Sequence, residues 1–88
     1  MTERKVTVRN YPGIHAHPAV LFVKKAGTFR AEVTVSNGEL SVNGKSIMGV
    51  LLLAASQGAE VRIVCEGTGA AEALAAIVKL FEAGFYEL

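Results

Sequence analysis

The 88-residue chain is 51% hydrophobic and carries nine Lys or Arg against eight acidic residues, all glutamate, for a formal charge of +1. So balanced a composition gives no single-signed field to hold nucleic acid or an acidic membrane surface, and the longest apolar stretch, residues 47–55, falls far short of the roughly 20 residues that span a bilayer. The length suits one modest core, burying about 60 to 65% of the unfolded surface, so residues 1–88 read as a single domain whose partners are proteins.

Met1 to Lys5 is charged but leads into strand-like alternation rather than an apolar signal core, which predicts a cytoplasmic protein. The first predicted strand is Lys5-Val6-Thr7-Val8-Arg9, broken by Asn10-Tyr11-Pro12-Gly13. A helix follows over about Ala16–Ala26. Pro18 falls in its first turn, where a missing N–H costs nothing, and disfavours helical angles at His17. His15 and His17 are thereby placed before or at the helix start. Lys24 and Lys25 sit near the negative end of the helix dipole, and Gly27 stops the helix. Ala31, Val33 and Val35 then alternate with polar residues, and Asn37-Gly38 leads into Glu39-Leu40-Ser41-Val42, a strong hairpin signal. Ser46 is a suitable N-cap for a second helix from Ile47 to about Ser56, with Gly58 as its stop. Glu60 to Glu66 alternates as a fourth strand. The last helix spans about Ala70–Ala83, capped by Thr68 or Gly69, with Ala70, Ala73, Leu74, Ile77 and Phe81 on one face.

The element order is therefore βαββαβα. Strands with one apolar face need cover, and three helices with apolar stripes supply it on one side, giving a two-layer α+β fold. The pattern alone does not separate one strand order from related split βαβ arrangements.

Chemistry concentrates at Gly13-Ile14-His15-Ala16-His17-Pro18-Ala19-Val20. The first N–H groups of a helix have no internal acceptor, and the dipole adds roughly half a positive charge there, so an anion carried on the His15 ring would be stabilised. A neutral imidazole is a competent nucleophile near neutral pH. The amides of about Ala16 and His17 are the ones placed to hold phosphoryl oxygens.

This loop resembles that of the HPr family, the phosphocarriers of the bacterial sugar phosphotransferase system, whose motif usually reads Gly-Leu/Ile-His-Ala-Arg-Pro-Ala. Asn43-Gly44-Lys45-Ser46-Ile47-Met48-Gly49-Val50 is similar to that family's regulatory serine segment and lies at the family's spacing from His15. The resemblance covers essentially the whole chain. It implies an open-faced sandwich with a four-stranded antiparallel sheet in order 1-4-2-3 and three helices on one face. It implies that Nδ1 of His15 accepts a phosphoryl group from phospho-enzyme I, charged by phosphoenolpyruvate, and donates it to sugar-specific enzyme IIA components. The protein would then be a carrier with a transient phosphohistidine, without a cofactor, rather than an independent catalyst. Transient docking suits a monomer.

His17 departs from the family, which has arginine there. Arginine is always charged and grips phosphate through two parallel hydrogen bonds, whereas histidine offers one donor per ring nitrogen and titrates near neutrality. A weaker, more pH-dependent clamp is expected. His15 and His17 alone are too few to hold a metal ion, and Cys65 falls on the inward side of the fourth strand, where a free thiol packs as a small hydrophobe.

Ser46 is first of all an N-cap. Phosphate there would add about 1.5 to 2 negative charges at a helix end that tolerates them. The resemblance implies regulation at Ser46 by an HPr kinase/phosphorylase and a catabolite-control transcription factor as a further partner. The docking face would include Val20, Lys24, Ile47, Met48 and Leu51. Leu51, Leu52 and Leu53 cannot all point inward from one helix, and Ile47 and Met48, beside a polar cap, are candidates for an exposed apolar patch. A purely regulatory protein acting through Ser46 is the alternative, and the lost arginine favours it. A small-ligand module finds no pocket signature beyond the two histidines.

Overall fold

A computed structural model describes residues 1–88. The elements are β1 (Thr2–Thr7), α1 (Ala16–Gly27), β2 (Glu32–Asn37), β3 (Leu40–Asn43), α2 (Ile47–Leu52), β4 (Glu60–Glu66) and α3 (Ala70–Glu82), followed by a 3-10 turn at Gly84–Tyr86. The strands form one antiparallel sheet in the order β1-β4-β2-β3. That is the 1-4-2-3 open-faced sandwich the resemblance implies.

Register explains the two faces. Val61, Ile63 and Cys65 alternate with charged or half-buried neighbours on β4, and Val33 and Val35 stand opposite Cys65 and Ile63, so one apolar face is turned to the helices. The opposite face carries Lys5, Arg62, Thr34, Ser36 and Glu66, with an Arg62–Glu3 ion pair across β1 and β4. The helices contribute Ala19, Phe22 and Ala26 from α1, Val50 from α2, and Ala73, Leu74, Ile77, Val78, Leu80 and Phe81 from α3 to a single core cluster of 21 residues. Burying one such large apolar side chain contributes about 1.5 to 3 kcal/mol. An edge-on aromatic series runs from Phe22 through Phe81 to Phe85, with centroids 6.0 and 4.9 Å apart. It ties the chain's end to the helices.

Several boundaries differ from those the sequence predicts. β1 begins at Thr2 and ends at Thr7, because its length is set by pairing from Cys65 back to Glu60 on β4; Val8 lies beyond the ladder but stays buried, its N–H donating to Ala59 O at 2.9 Å. The hairpin turn is Gly38-Glu39 rather than Asn37-Gly38. Asn37 pairs with Leu40, and Gly38 takes φ +63°, as the first central position of a two-residue turn requires. Helix α2 stops at Leu52, not near Ser56. Ala54 turns left-handed at φ +49°, and the next two residues are drawn to the His15 loop through an Ile14 N–H to Ala55 O bond of 2.8 Å and a Gly13–Ser56 bridge. Gly58 therefore does not end the helix. The 3-10 turn at the C-terminus has no counterpart in the sequence reading.

Candidate functional site

The loop from Val8 to His15 is clamped before it reaches the histidine. Gly13 approaches the segment after α2 so closely that a Cβ would stand 2.3 Å from Ala55 O, and its φ of +130° is one that side chains rarely allow. Ile14 is buried beside it. Asn10 is fully buried and donates through Nδ2 to Gly13 O at 2.8 Å, bracing the loop from within.

His15 is the N-cap of α1, in extended conformation at φ −105°, and its carbonyl accepts the first helical bond, from Ala19 N–H at 2.9 Å. Its side chain does not cap the helix, and the first turn holds no acidic residue. The Ala16 and His17 amides thus precede the first helical donor, and Pro18 has no N–H, so this helix start has two donors with no intrahelical acceptor. His17 lies inside the first turn, contrary to the bias expected from Pro18. At the third helical position the proline forfeits no hydrogen bond, and the turn closed by His15 and Ala19 overrides the local preference. Both rings are accessible, His15 at 43% and His17 at 60%.

The residue sequence reasoning missed is Glu87. Its Oε1 lies 3.0 Å from His15 Nε2 and also 3.0 Å from Asn10 Nδ2, while Oε2 lies 3.5 Å from His17 Nδ1. The His15 bond above all, with help from Asn10 and His17 and against some desolvation, holds its carboxyl below the usual carboxylate range. Seventy-two positions separate the partners, beyond any helical or strand period. The only signal in the chain was Gly84, a residue able to reverse direction after α3.

Ser46 caps α2, its Oγ accepting Gly49 N–H at 3.1 Å, and is half-buried. Around it Ile47, Met48, Leu51 and Leu52 are exposed, Met48 to 69%, whereas Leu53 is buried. On α1, which packs against α2, Lys24 is exposed and Val20 half-buried. Cys65 is buried on β4, and burial pushes its thiol upward, away from the reactive thiolate.

The open-faced α+β sandwich with sheet order 1-4-2-3 and a histidine at the start of its first helix is shared with small phosphocarrier proteins, as the comparisons with known proteins show. The model of the PTS-HPr family, described as "PTS HPr component phosphorylation site", matches residues 2–83, and the chain belongs to that family. It is 41% identical to the phosphocarrier protein HPr of Treponema pallidum over 87 residues, 99% of each chain. It is 37% identical to the HPr-like protein Crh of Halalkalibacterium halodurans over 82 residues, 93% of this chain and 98% of that one. Among solved structures, HPr of Thermoanaerobacter tengcongensis superposes with a TM-score of 0.96 at 41% identity, covering 100% of this chain and 99% of the other.

Proposed function

We propose that the chain is a phosphocarrier in which His15 Nδ1 attacks the phosphoryl group of phospho-enzyme I, itself charged by phosphoenolpyruvate, and later passes it to sugar-specific enzyme IIA components. In each transfer a new bond to phosphorus forms from the acceptor's lone pair as the donor's bond breaks and keeps its electrons, so the chain is a carrier and not an independent catalyst. The observation that carries this reading is the uncapped start of α1, where the Ala16 and His17 amides are open beside an accessible imidazole. Those donors would take the phosphoryl oxygens, and the dipole would favour their charge. His17 stands where the family has arginine and would supply one donor instead of a fork.

Docking to both partners would use the exposed Ile47, Met48 and Leu51 with Val20 and Lys24. Phosphorylation of Ser46 by an HPr kinase/phosphorylase would charge that face, hindering enzyme I and favouring a catabolite-control transcription factor. The chain would act in the cytoplasm as a monomer. No helix is long and apolar enough to cross a membrane. The second reading is a regulatory protein that works through Ser46 alone, supported by His17 and by the likeness to proteins named Crh.

One experiment separates them. Incubated with phosphoenolpyruvate and enzyme I, the chain gains an acid-labile phosphate by intact mass, and His15→Ala gains none. Failure to gain phosphate from a competent enzyme I overturns the carrier reading in favour of the regulatory one.

A further inference from the structure

The backbone bends at some cost to bring the chain's end to the histidine. Gly84, Phe85 and Tyr86 take φ values of 59°, 52° and 62°, three successive residues in the left-handed region that bulky side chains avoid. At Gly84 an added Cβ would meet only the exposed Leu88 side chain, which can move aside, so it is the positive φ that favours glycine there. Phe85 holds the turn in place. Its ring is fully buried and stands edge-on to Phe81, and that burial offsets the bend. Left-handed conformations imposed on bulky residues beside a reactive group point to a function for what they deliver.

What they deliver is the Glu87 carboxylate. Asn10 steadies it from below, and the placement of that amide is dictated, because both of its Nδ2 neighbours, Gly13 O and Glu87 Oε1, can only accept. An ionised carboxylate likewise accepts and never donates, so the 3.0 Å contact requires the proton of neutral His15 to sit on Nε2. The lone pair is then on Nδ1, which makes no hydrogen bond to the protein. Orientation of a reacting imidazole by a third, buried or half-buried group is a recurring arrangement in nucleophilic sites.

We propose that Glu87 is a positioning residue for phosphoryl transfer: by accepting a hydrogen bond from Nε2–H it fixes the tautomer and plane of His15 so that Nδ1 is the free nucleophile. This rests on the carrier reading above. As the phosphoryl group arrives, the Nε2–H to Glu87 bond persists and offsets the positive charge that develops on the ring. The contact with His17 is longer, at 3.5 Å, and leaves that ring able to turn toward the phosphate.

The test uses the whole chain, wild type and as Glu87→Ala and Glu87→Gln, with nitrogen-resolved NMR of the imidazoles near neutral pH and initial rates of phosphorylation by enzyme I. In wild type the Nε2 proton of His15 is protected and visible. Glu87→Ala loses it, and its rate falls about tenfold, the worth of one hydrogen bond to a charged group. Glu87→Gln, whose amide oxygen still accepts, recovers much of both. The proposal is overturned if Glu87→Ala stays within about twofold of wild type, the range of an ordinary surface change. It is equally overturned if the rate falls while the imidazole spectrum is unchanged, which would make Glu87 a docking residue. A wild-type chain that accepts no phosphate defeats the carrier reading itself, and the spectra of the unphosphorylated chain distinguish that failure from a failure of Glu87 to hold the ring.

Discussion

Helix α1 starts at His15 and helix α2 at Ser46, both from an extended cap residue and neither with an acidic side chain in its first turn. At Ser46 the cap hydroxyl satisfies the Gly49 amide at 3.1 Å. At His15 the side chain turns away to Glu87 and leaves the Ala16 and His17 amides unused. A hydroxyl cap completes a helix, whereas a withheld cap keeps donors available for an anion that comes and goes. On the proposed reading, the open end would serve transit of a phosphoryl group and the capped end a lasting change of surface charge.

The comparison breaks most severely if the His15 end loses its clamp. Gly13→Ala forces a Cβ into Ala55 O and a side chain onto φ +130°. Backbone strain and overpacking at about 1 to 3 kcal/mol each suggest a loss of roughly 3 kcal/mol. That corresponds to a thermal midpoint lower by more than about 10 °C for a domain of this size. Calorimetry and the phosphorylation rate should fall together. Retention of both would show that the loop tolerates what the geometry forbids.

His17→Arg tests the open end more gently. Arginine stays charged throughout and offers a fork, while an imidazole changes charge around neutrality. The transfer rate should rise about tenfold at the alkaline end of the range, the value of an added charged hydrogen bond, and its dependence on pH between about 6 and 8 should flatten. An unchanged rate and profile would mean that His17 takes no part at the phosphate.

Much of this is legible in the sequence. Alternation in Glu60–Glu66 marked β4 to the residue, and the 3.6-residue spacing of Ala73, Leu74, Ile77 and Phe81 marked the inner face of α3. Gly13, His15 and Pro18 together marked the helix start. What escaped depends on contacts between distant segments. The end of α2 is decided by Ala55 and Ser56 bonding to the His15 loop, which outweighs an apolar run that would otherwise continue as helix. Glu87 escaped for the same reason, since only the left-handed turn anchored by Phe85 carries it back. Asn10 reads as a strand breaker in sequence, and only its complete burial shows it as a brace.

The capped end answers to smaller changes. Ser46→Ala removes the acceptor for Gly49 N–H and should cost about 1 kcal/mol, seen as a midpoint lower by roughly 4 to 8 °C, with phosphate acceptance at His15 nearly unchanged. Ser46→Asp keeps a good cap and adds a charge to the face that bears Ile47 and Met48. It should hold stability and weaken enzyme I docking. If Ser46→Ala weakens docking as much as Ser46→Asp does, the hydroxyl itself, and not charge, governs that face.

The smallest effect separates the two ends by pH. Glu87 is bonded by His15, Asn10 and His17 and its carboxyl is held below its ordinary value near 4.5, whereas no carboxylate serves the Ser46 end. A carboxyl depressed in the folded state contributes stability that is fully present above its unfolded pKa and is lost as pH falls through the folded one. Wild type should therefore exceed Glu87→Gln in thermal midpoint at pH 6, and the gap should close as pH drops below about 4.5. Glu3, lowered chiefly by its bond to Arg62, titrates in the same window but in both proteins alike, so it cancels from the difference. The same subtraction between wild type and Ser46→Ala should show a gap that pH does not close, because a hydroxyl cap has no proton to gain there. A gap for Glu87→Gln that persists at low pH would assign its stability to packing of the turn, and the charge at the histidine end would then matter to transfer alone.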